Sequence, residues 1–332
     1  MRRNRVLIGD AVTRLGELPA HSVDTVVTSP PYFQLRDYAT PGQIGLEPTP
    51  QAWVAKLRAV GAEIARVLAP HGSWWLNLGD SYSRGDGGVA AKSLVLAPER
   101  LLLALAEDGW LVRNKIVWHK PNPVPTSATD RLNTSWEPLY LLVRSPRYYF
   151  DLDAIRSPHQ TTGSGGGSLP RRGRRRPRWA GPLAGDQHGL ARLRAQGLPG
   201  HPLGKNPGDV WRFPTAPRRG RHLAVFPDGL VERAVRAGCP EAVCTGCQRP
   251  WQRPVRRPVA GSAQRGHLQP DCACDAPARA GLVLDPFLGS GTTARVAQRL
   301  GRDWLGIELH RATARAARQR LNADASAAGR AA

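Results

Sequence analysis

Leu282-Val283-Leu284-Asp285-Pro286-Phe287-Leu288-Gly289-Ser290-Gly291-Thr292-Thr293 runs from an apolar stretch, through a turn with two glycines, into a segment of helical spacing at 292–300. Strand, glycine turn, helix is the arrangement that turns backbone N–H groups and a helix N-terminus toward a bound molecule. Gly289 and Gly291 allow positive φ and close approach to the backbone. Asp285 closes the strand, where its carboxylate can meet a ligand's polar groups. The next strand, Trp304-Leu305-Gly306-Ile307-Glu308, ends on an acid 23 positions further on. An acid there commonly holds the hydroxyl pair of a ribose. The plainer alternative is that both acids cap helices or face solvent. No Lys precedes Thr292-Thr293, so this is not the phosphate loop of nucleotide hydrolases, and the glycine spacing departs from the nicotinamide fingerprint.

Outward from this unit the alternation continues. Residues 5–9 read as a strand ending at Asp10. Val23-Asp24-Thr25-Val26-Val27-Thr28 is rich in β-branched residues and is stopped by Ser29-Pro30-Pro31. Trp53, Val54, Leu57, Val60, Ile64, Val67 and Leu68 recur at helical spacing, and Pro70-His71-Gly72 is expected to close that helix. Strands are expected at 73–78, 111–118 and 139–143, and helices at 94–106, 226–237 and 311–321, with the tail after Asn322 frayed. Strands alternating with helices predict an α/β fold, a mostly parallel sheet covered on both faces.

The 332 residues carry 47 Lys and Arg against 26 Asp and Glu, a formal net charge of +21. That excess points to a polyanionic partner, nucleic acid first; Arg-favouring codon usage in a GC-rich genome is the alternative source. No apolar run reaches the ~18 residues of a membrane span. The basic N-terminal stretch holds too short an apolar segment for a signal peptide, so the chain is expected in the cytoplasm. The regular alternation stops near residue 157. Gly163-Ser164-Gly165-Gly166-Gly167-Ser168 is a flexible tract, and Arg171, Arg172, Arg174, Arg175, Arg176 and Arg178 follow within eight residues. The resulting division is a first half over 1–155, a basic insertion over 156–205, a second half over 206–238 and 281–322, a cysteine-bearing insert over 239–280, and a tail over 323–332.

Thr28-Ser29-Pro30-Pro31-Tyr32 is a rigid, polar-then-aromatic tip on an apolar strand. With Asp-Pro-Phe-x-Gly-Ser-Gly-Thr-Thr at 285–293, it resembles the paired motifs of S-adenosylmethionine-dependent methyltransferases acting on exocyclic amino groups of DNA bases. Because the Ser-Pro-Pro-Tyr tip precedes the glycine turn, the order resembles the permuted β-class of that family. The resemblance implies a Rossmann-like methyltransferase fold, double-stranded DNA as partner, and extrusion of the target base. It implies catalytic roles for Ser29, Pro30, Pro31 and Tyr32. It places the cofactor against Asp10, Phe226, Asp285, Pro286, Phe287, Gly289, Ser290, Gly291, Thr292 and Glu308. It covers about 5–155 and 205–321, with further matching pieces at Asn77-Leu78-Gly79-Asp80, Trp118-His119-Lys120-Pro121-Asn122 and Pro207-Gly208-Asp209-Val210-Trp211. Ser-Pro-Pro-Tyr is typical of the cytosine-N4 enzymes and Asp-Pro-Pro-Tyr of the adenine-N6 enzymes. Adenine, RNA or a protein amide as substrate, and a DNA-binding protein with a vestigial site, stay open as rivals. No nuclease signature is present, so a restriction endonuclease would be a separate protein.

All five cysteines lie between 239 and 274. Cys244-Thr245-Gly246-Cys247 and Cys272-Ala273-Cys274 form two close pairs, a pattern expected to hold structural zinc through Cys244, Cys247, Cys272 and Cys274. The second pair has one intervening residue where two are commoner; Cys239 and His267 are alternative ligands, and unligated thiols the other reading. His119 and Lys120, at a strand end, are expected to touch DNA, as is the arginine run at 171–178, which suits phosphate contacts of low specificity.

Overall fold

The computed structural model describes residues 1–159, 201–215, 227–256 and 263–331, with side chains to 324. The expectations placed on Phe226, on the 163–168 tract and on Arg171, Arg172, Arg174, Arg175, Arg176 and Arg178 lie outside these residues. Twelve strands are described: β1 Arg5–Ile8, β2 Val23–Thr28, β3 Leu68–Asn77, β4 Leu111–His119, β5 Trp136–Val143, β6 Val210–Arg212, β7 Ala242–Cys244, β8 Val255–Arg256, β9 Gln264–Arg265, β10 Ala278–Ala280, β11 Leu282–Asp285 and β12 Asp303–Glu308. The described helices longer than one turn are α1 Ala11–Gly16, α2 Pro50–Val67, α3 Ala97–Glu107, α4 Asp228–Gly238, α5 Thr292–Arg299 and α6 Arg311–Ala331.

Eight strands form one sheet in the order β1-β12-β11-β2-β3-β5-β4-β6. Only β5 runs antiparallel to its neighbours β3 and β4. The core strands are buried on both faces; every residue of β2 and β11 is buried, as near-continuous apolar runs require in a sheet covered by helices. Helices α1, α2 and α3 pack together, and α4, α5 and α6 form a second packed group. Trp53, Leu57, Val60 and Ile64 of α2 are at most 2% exposed, which accounts for the helical spacing read in that segment. Among the described residues no helix is long and apolar enough to cross a membrane.

Four boundaries differ by three residues or more from the sequence reading, one being the start of β5, at Trp136 rather than 139. Pro70-His71-Gly72 makes no loop: α2 passes directly into β3, and the proline falls in a register break, where Val23 pairs with Leu68 but Thr25 pairs with Ser73. A bulge is where a strand tolerates proline, which has no N–H to donate. Helix α3 starts at Ala97, because Leu96 is left-handed (φ 56°). The Asp80 carboxylate reaches across to accept from Leu96 N at 2.9 Å and Ala97 N at 3.1 Å, capping a helix whose own cap residue offers no acceptor. Helix α6 continues past Asn322 to Ala331, as its alanine content favours.

The chain divides into two units. The larger comprises Met1–Asp151, Gly208–Gln252 and Leu268–Ala332 and contains the whole eight-stranded sheet. The smaller comprises Leu152–Pro207 and Arg253–His267; its described part holds the β8–β9 ribbon and an antiparallel bridge between Ser157 and Lys205. The expected insert at 239–280 is therefore shared: 239–252 and 268–280 lie in the larger unit and Arg253–His267 in the smaller.

Candidate active site

Parallel strands bring their carboxyl ends to one edge of the sheet. That edge carries Asp10 after β1, Glu308 at the end of β12, Asp285 at the end of β11, Ser29 after β2, Asn77 at the end of β3 and His119 at the end of β4. The chain winds outward in opposite directions from β11 and β2. In open α/β sheets the crevice at such a switch point is where ligands bind. The two motifs singled out in the sequence meet there. Thr28 Oγ1 donates to Asp285 Oδ1 at 2.6 Å, joining the strand that ends in Ser29 to the strand that ends in the glycine turn.

Asp285 is 1% exposed and its carboxylate is fully engaged. Besides Thr28, it accepts from Thr293 Oγ1 at 2.8 Å and from Phe287 N at 3.0 Å. Burial pushes its pKa up to about 6, against these hydrogen bonds. Asp285 thus staples the turn rather than presenting a free carboxylate to a ligand. The turn itself holds Gly289 at φ 52° and Gly291 at φ 87°, both left-handed. A Cβ on Gly289 would meet only Phe287 O, at 3.9 Å, so open space lies over it. Gly291 is the N-cap of α5 and supplies no side-chain acceptor, leaving first-turn N–H groups for an anionic group. Beside the turn, Glu308 accepts from Gly289 N at 2.8 Å and from His310 N at 2.8 Å. Asp10 caps α1, accepting from Thr13 N at 2.9 Å and Thr13 Oγ1 at 3.1 Å.

The Ser29 tip is clamped from several sides. Pro30 is buried, and the Trp53 indole donates to Pro31 O at 3.0 Å. The Tyr32 ring lies on the backbone of Gly79, where a Cβ would stand 2.5 Å from Tyr32 Cε2. The Tyr32 hydroxyl lies 2.9 Å from Glu137 Oε2, 3.1 Å from Asn77 Oδ1 and 3.2 Å from Ser29 Oγ. A phenol has one proton, and the shortest contact, to a carboxylate, takes it. Its oxygen then accepts from the Ser29 hydroxyl, which leaves the Ser29 lone pairs free for an incoming N–H. Burial, and then the charge of Glu137, push the Tyr32 pKa well above its usual value, so the phenol stays protonated. Asn77 Nδ2 donates to Pro138 O at 3.1 Å and to Glu137 Oε2 at 3.3 Å. Lys120 Nζ pairs with Glu137 Oε1 and sits 4.7 Å from the centroid of the Trp118 ring.

A family model described as DNA methylase, of the N6/N4 group, matches residues 23–319. The chain belongs to this DNA methylase family. It is 31% identical to the type II methyltransferase M.SfiI of Streptomyces fimbriatus, over 91% of this chain and 87% of that protein. It is likewise 31% identical to M.SmaI of Serratia marcescens, over 97% and 91%. In fold, it superposes on the PvuII DNA methyltransferase, described as cytosine-N4-specific, with a TM-score of 0.58 and 18% identity over 96% of this chain and 86% of that one. A DNA modification methylase of Thermus thermophilus, solved with S-adenosyl-L-methionine, gives 0.55 and 22% over 96% and 93%.

The methylase therefore has the S-adenosylmethionine-dependent methyltransferase fold, and the chain offers that cofactor a fitting set of groups. The unfilled space over Gly289, the uncapped N-terminus of α5 and the Glu308 carboxylate suit the amino-acid end and the ribose hydroxyls. Of the residues expected to touch DNA, His119 ends β4 half-buried, its carbonyl accepting from Phe213 N at 3.2 Å, whereas Lys120 is drawn into the Tyr32 network through Glu137. The thiols of Cys244, Cys247, Cys272 and Cys274 lie within 4.8 Å of one another, while Cys239 is buried and not among them. Sequence reasoning missed Glu137, because it stands at the amino end of β5, the one strand described in the eight-stranded sheet that runs against its neighbours. Only the reversed direction of β5 brings that end to the active edge. It also missed Thr28 and Thr293 as partners of Asp285, although each is a member of one of the two motifs.

Proposed function

We propose that the methylase transfers a methyl group to the exocyclic N4 amino group of a cytosine extruded from double-stranded DNA. The observation that carries this reading is the Ser29 tip, its hydroxyl 3.2 Å from the Tyr32 hydroxyl, beside the glycine turn at the switch point. An amino nitrogen conjugated to a base ring is a poor nucleophile. Ser29 Oγ and the Pro30 carbonyl accept its two N–H bonds, favouring a more tetrahedral nitrogen with an exposed lone pair. Bound S-adenosylmethionine supplies an electrophilic methyl group; Gly289, Gly291, the first turn of α5 and Glu308 would hold it. The nitrogen's new bond to carbon would replace the methyl group's bond to sulfur, leaving a neutral thioether, and Ser29-Tyr32-Glu137 is a hydrogen-bonded route for the proton the nitrogen then loses. Tyr32 and its neighbours hold the extruded base.

Serine at the tip supports cytosine over adenine, and the PvuII enzyme of like fold is described as acting on cytosine N4. The basic charge supports DNA binding, and relatives named type II methyltransferases support a role in restriction-modification beside a separate endonuclease. Incubation with labelled S-adenosylmethionine and mixed-sequence DNA, followed by mass analysis of the nucleosides, tests the reading. N4-methylcytosine is expected; N6-methyladenine would overturn the choice of base and leave the mechanism standing.

A further inference from the structure

The larger unit's loop at 271–280 has no buried residue. Asp271, Ala273, Cys274, Asp275, Pro277 and Ala278 are exposed, and the rest are intermediate. It pairs through β10 with three residues of β7, in the register Ala278 to Cys244. A segment that buries no apolar core gains little from packing to offset its conformational entropy, and a metal staple would supply what packing does not. The first cysteine pair lies across from it on a tight knuckle. Gln248 N donates to Cys244 O at 3.0 Å and Cys244 N to Arg249 O at 2.9 Å, with Gln248 left-handed at φ 60°. Gly246 lets the loop approach closely: a Cβ there would stand 3.2 Å from Ala276 Cβ, a tight contact, and 3.5 Å from Cys274 Cβ. Thr245 N, at 2.9 Å, and Thr245 Oγ1, at 2.7 Å, both donate to Pro277 O and hold the loop against the knuckle.

These contacts converge the four sulfurs of Cys244, Cys247, Cys272 and Cys274 to within 4.8 Å of each other. Tetrahedral zinc, with Zn–S bonds of about 2.3 Å, places its sulfurs about 3.8 Å apart, so a small contraction closes the shell. We propose that these four thiolates bind one structural zinc ion, and that the metal, in place of a core, holds the 271–280 loop to β7. Four sulfur ligands leave no open coordination position, which separates this site from catalysis. The fold does so as well. β10 reaches the sheet through Arg279, whose guanidinium pairs with Asp24 at 2.5 and 3.0 Å, at the amino end of β2, opposite the end that carries Ser29.

The test is metal content of the full chain. Protein purified after growth with zinc should hold about one zinc per chain. After stripping, added cobalt(II) should give thiolate charge-transfer absorption and the visible bands of a tetrahedral site. Cys247→Ser and Cys274→Ser should each reduce zinc to about a tenth of wild type or less, whereas His267→Ala should leave it unchanged. Should the cysteine variants aggregate, the wild type still decides: chelation should make 245–277 newly sensitive to protease, and zinc should restore protection. Zinc-free wild type with four reactive thiols would overturn the proposal. So would a mass four hydrogens light from two disulfides, or zinc retained in both cysteine variants.

Discussion

In the proposed mechanism Ser29 acts through its lone pairs, and two other residues set their direction. With the Tyr32 proton given to Glu137 at 2.9 Å, the 3.2 Å contact from Ser29 to Tyr32 would turn the serine proton toward Tyr32. Ser29→Ala removes one of two acceptors for the amino group. Turnover should fall by roughly 10²-fold, about 2.7 kcal/mol of transition-state stabilisation, with cofactor affinity unchanged. Lost cofactor affinity in equilibrium binding would show that the roles are misassigned. Glu137→Gln keeps the shape of the network and removes the anion that claims the Tyr32 proton. We expect kcat to fall roughly 10-fold, with little change in KM for DNA. Unchanged kcat in the variant would reduce Glu137 to a packing role.

Asp285 ties the β11–turn–α5 element to β2, the strand that leads into Ser29. Gly291→Asp puts a carboxylate and a Cβ where φ is 87° and where the N-terminus of α5 opens. Cofactor binding should be lost by at least about 10²-fold in calorimetry, through strain and charge repulsion combined. Asp285 gives the element a pH signature. Its folded pKa, about 6, lies above the ordinary aspartate value of 3.8, so its protonated form favours folding. That contribution is fully present below about pH 4 and is lost as pH rises through about 6, a change on the order of 3 kcal/mol. Denaturant midpoints of wild type minus Asp285→Asn, measured from pH 4 to 7, should fall over that window; a flat difference would reject the buried ionisation. The element's existence was readable from Leu282-Val283-Leu284-Asp285 and its glycines, because a buried strand and a left-handed turn leave local marks. The start of α3 was not, because its cap is Asp80, 16 residues before Leu96 and brought near only by the fold. Nor was the unbroken passage from α2 into β3, since the bulge around Pro70 depends on pairing with β2.

Across the whole molecule, strand order and the reversed β5 depend on contacts between distant segments, so the alternation of strands and helices predicted the class but not the neighbours of Ser29. Net charge is different: it is a property of the chain that needs no fold to be read. A formal charge of +21 predicts DNA affinity that falls steeply with salt, because each neutralised phosphate releases counterions. Six of the arginines lie between 171 and 178. If they bind phosphates, deleting 171–178 should flatten the slope of log K against log salt by about 0.9 for each phosphate no longer neutralised. The preferred sequence should be unchanged, since phosphate contacts position a protein without reading bases. Methyl transfer at saturating DNA should also persist, because the Ser29 network and the glycine turn contain none of these residues. An unchanged slope with normal affinity would place the DNA-contacting charge elsewhere on the chain. A changed target sequence with an unchanged slope would instead make the segment a reader of bases.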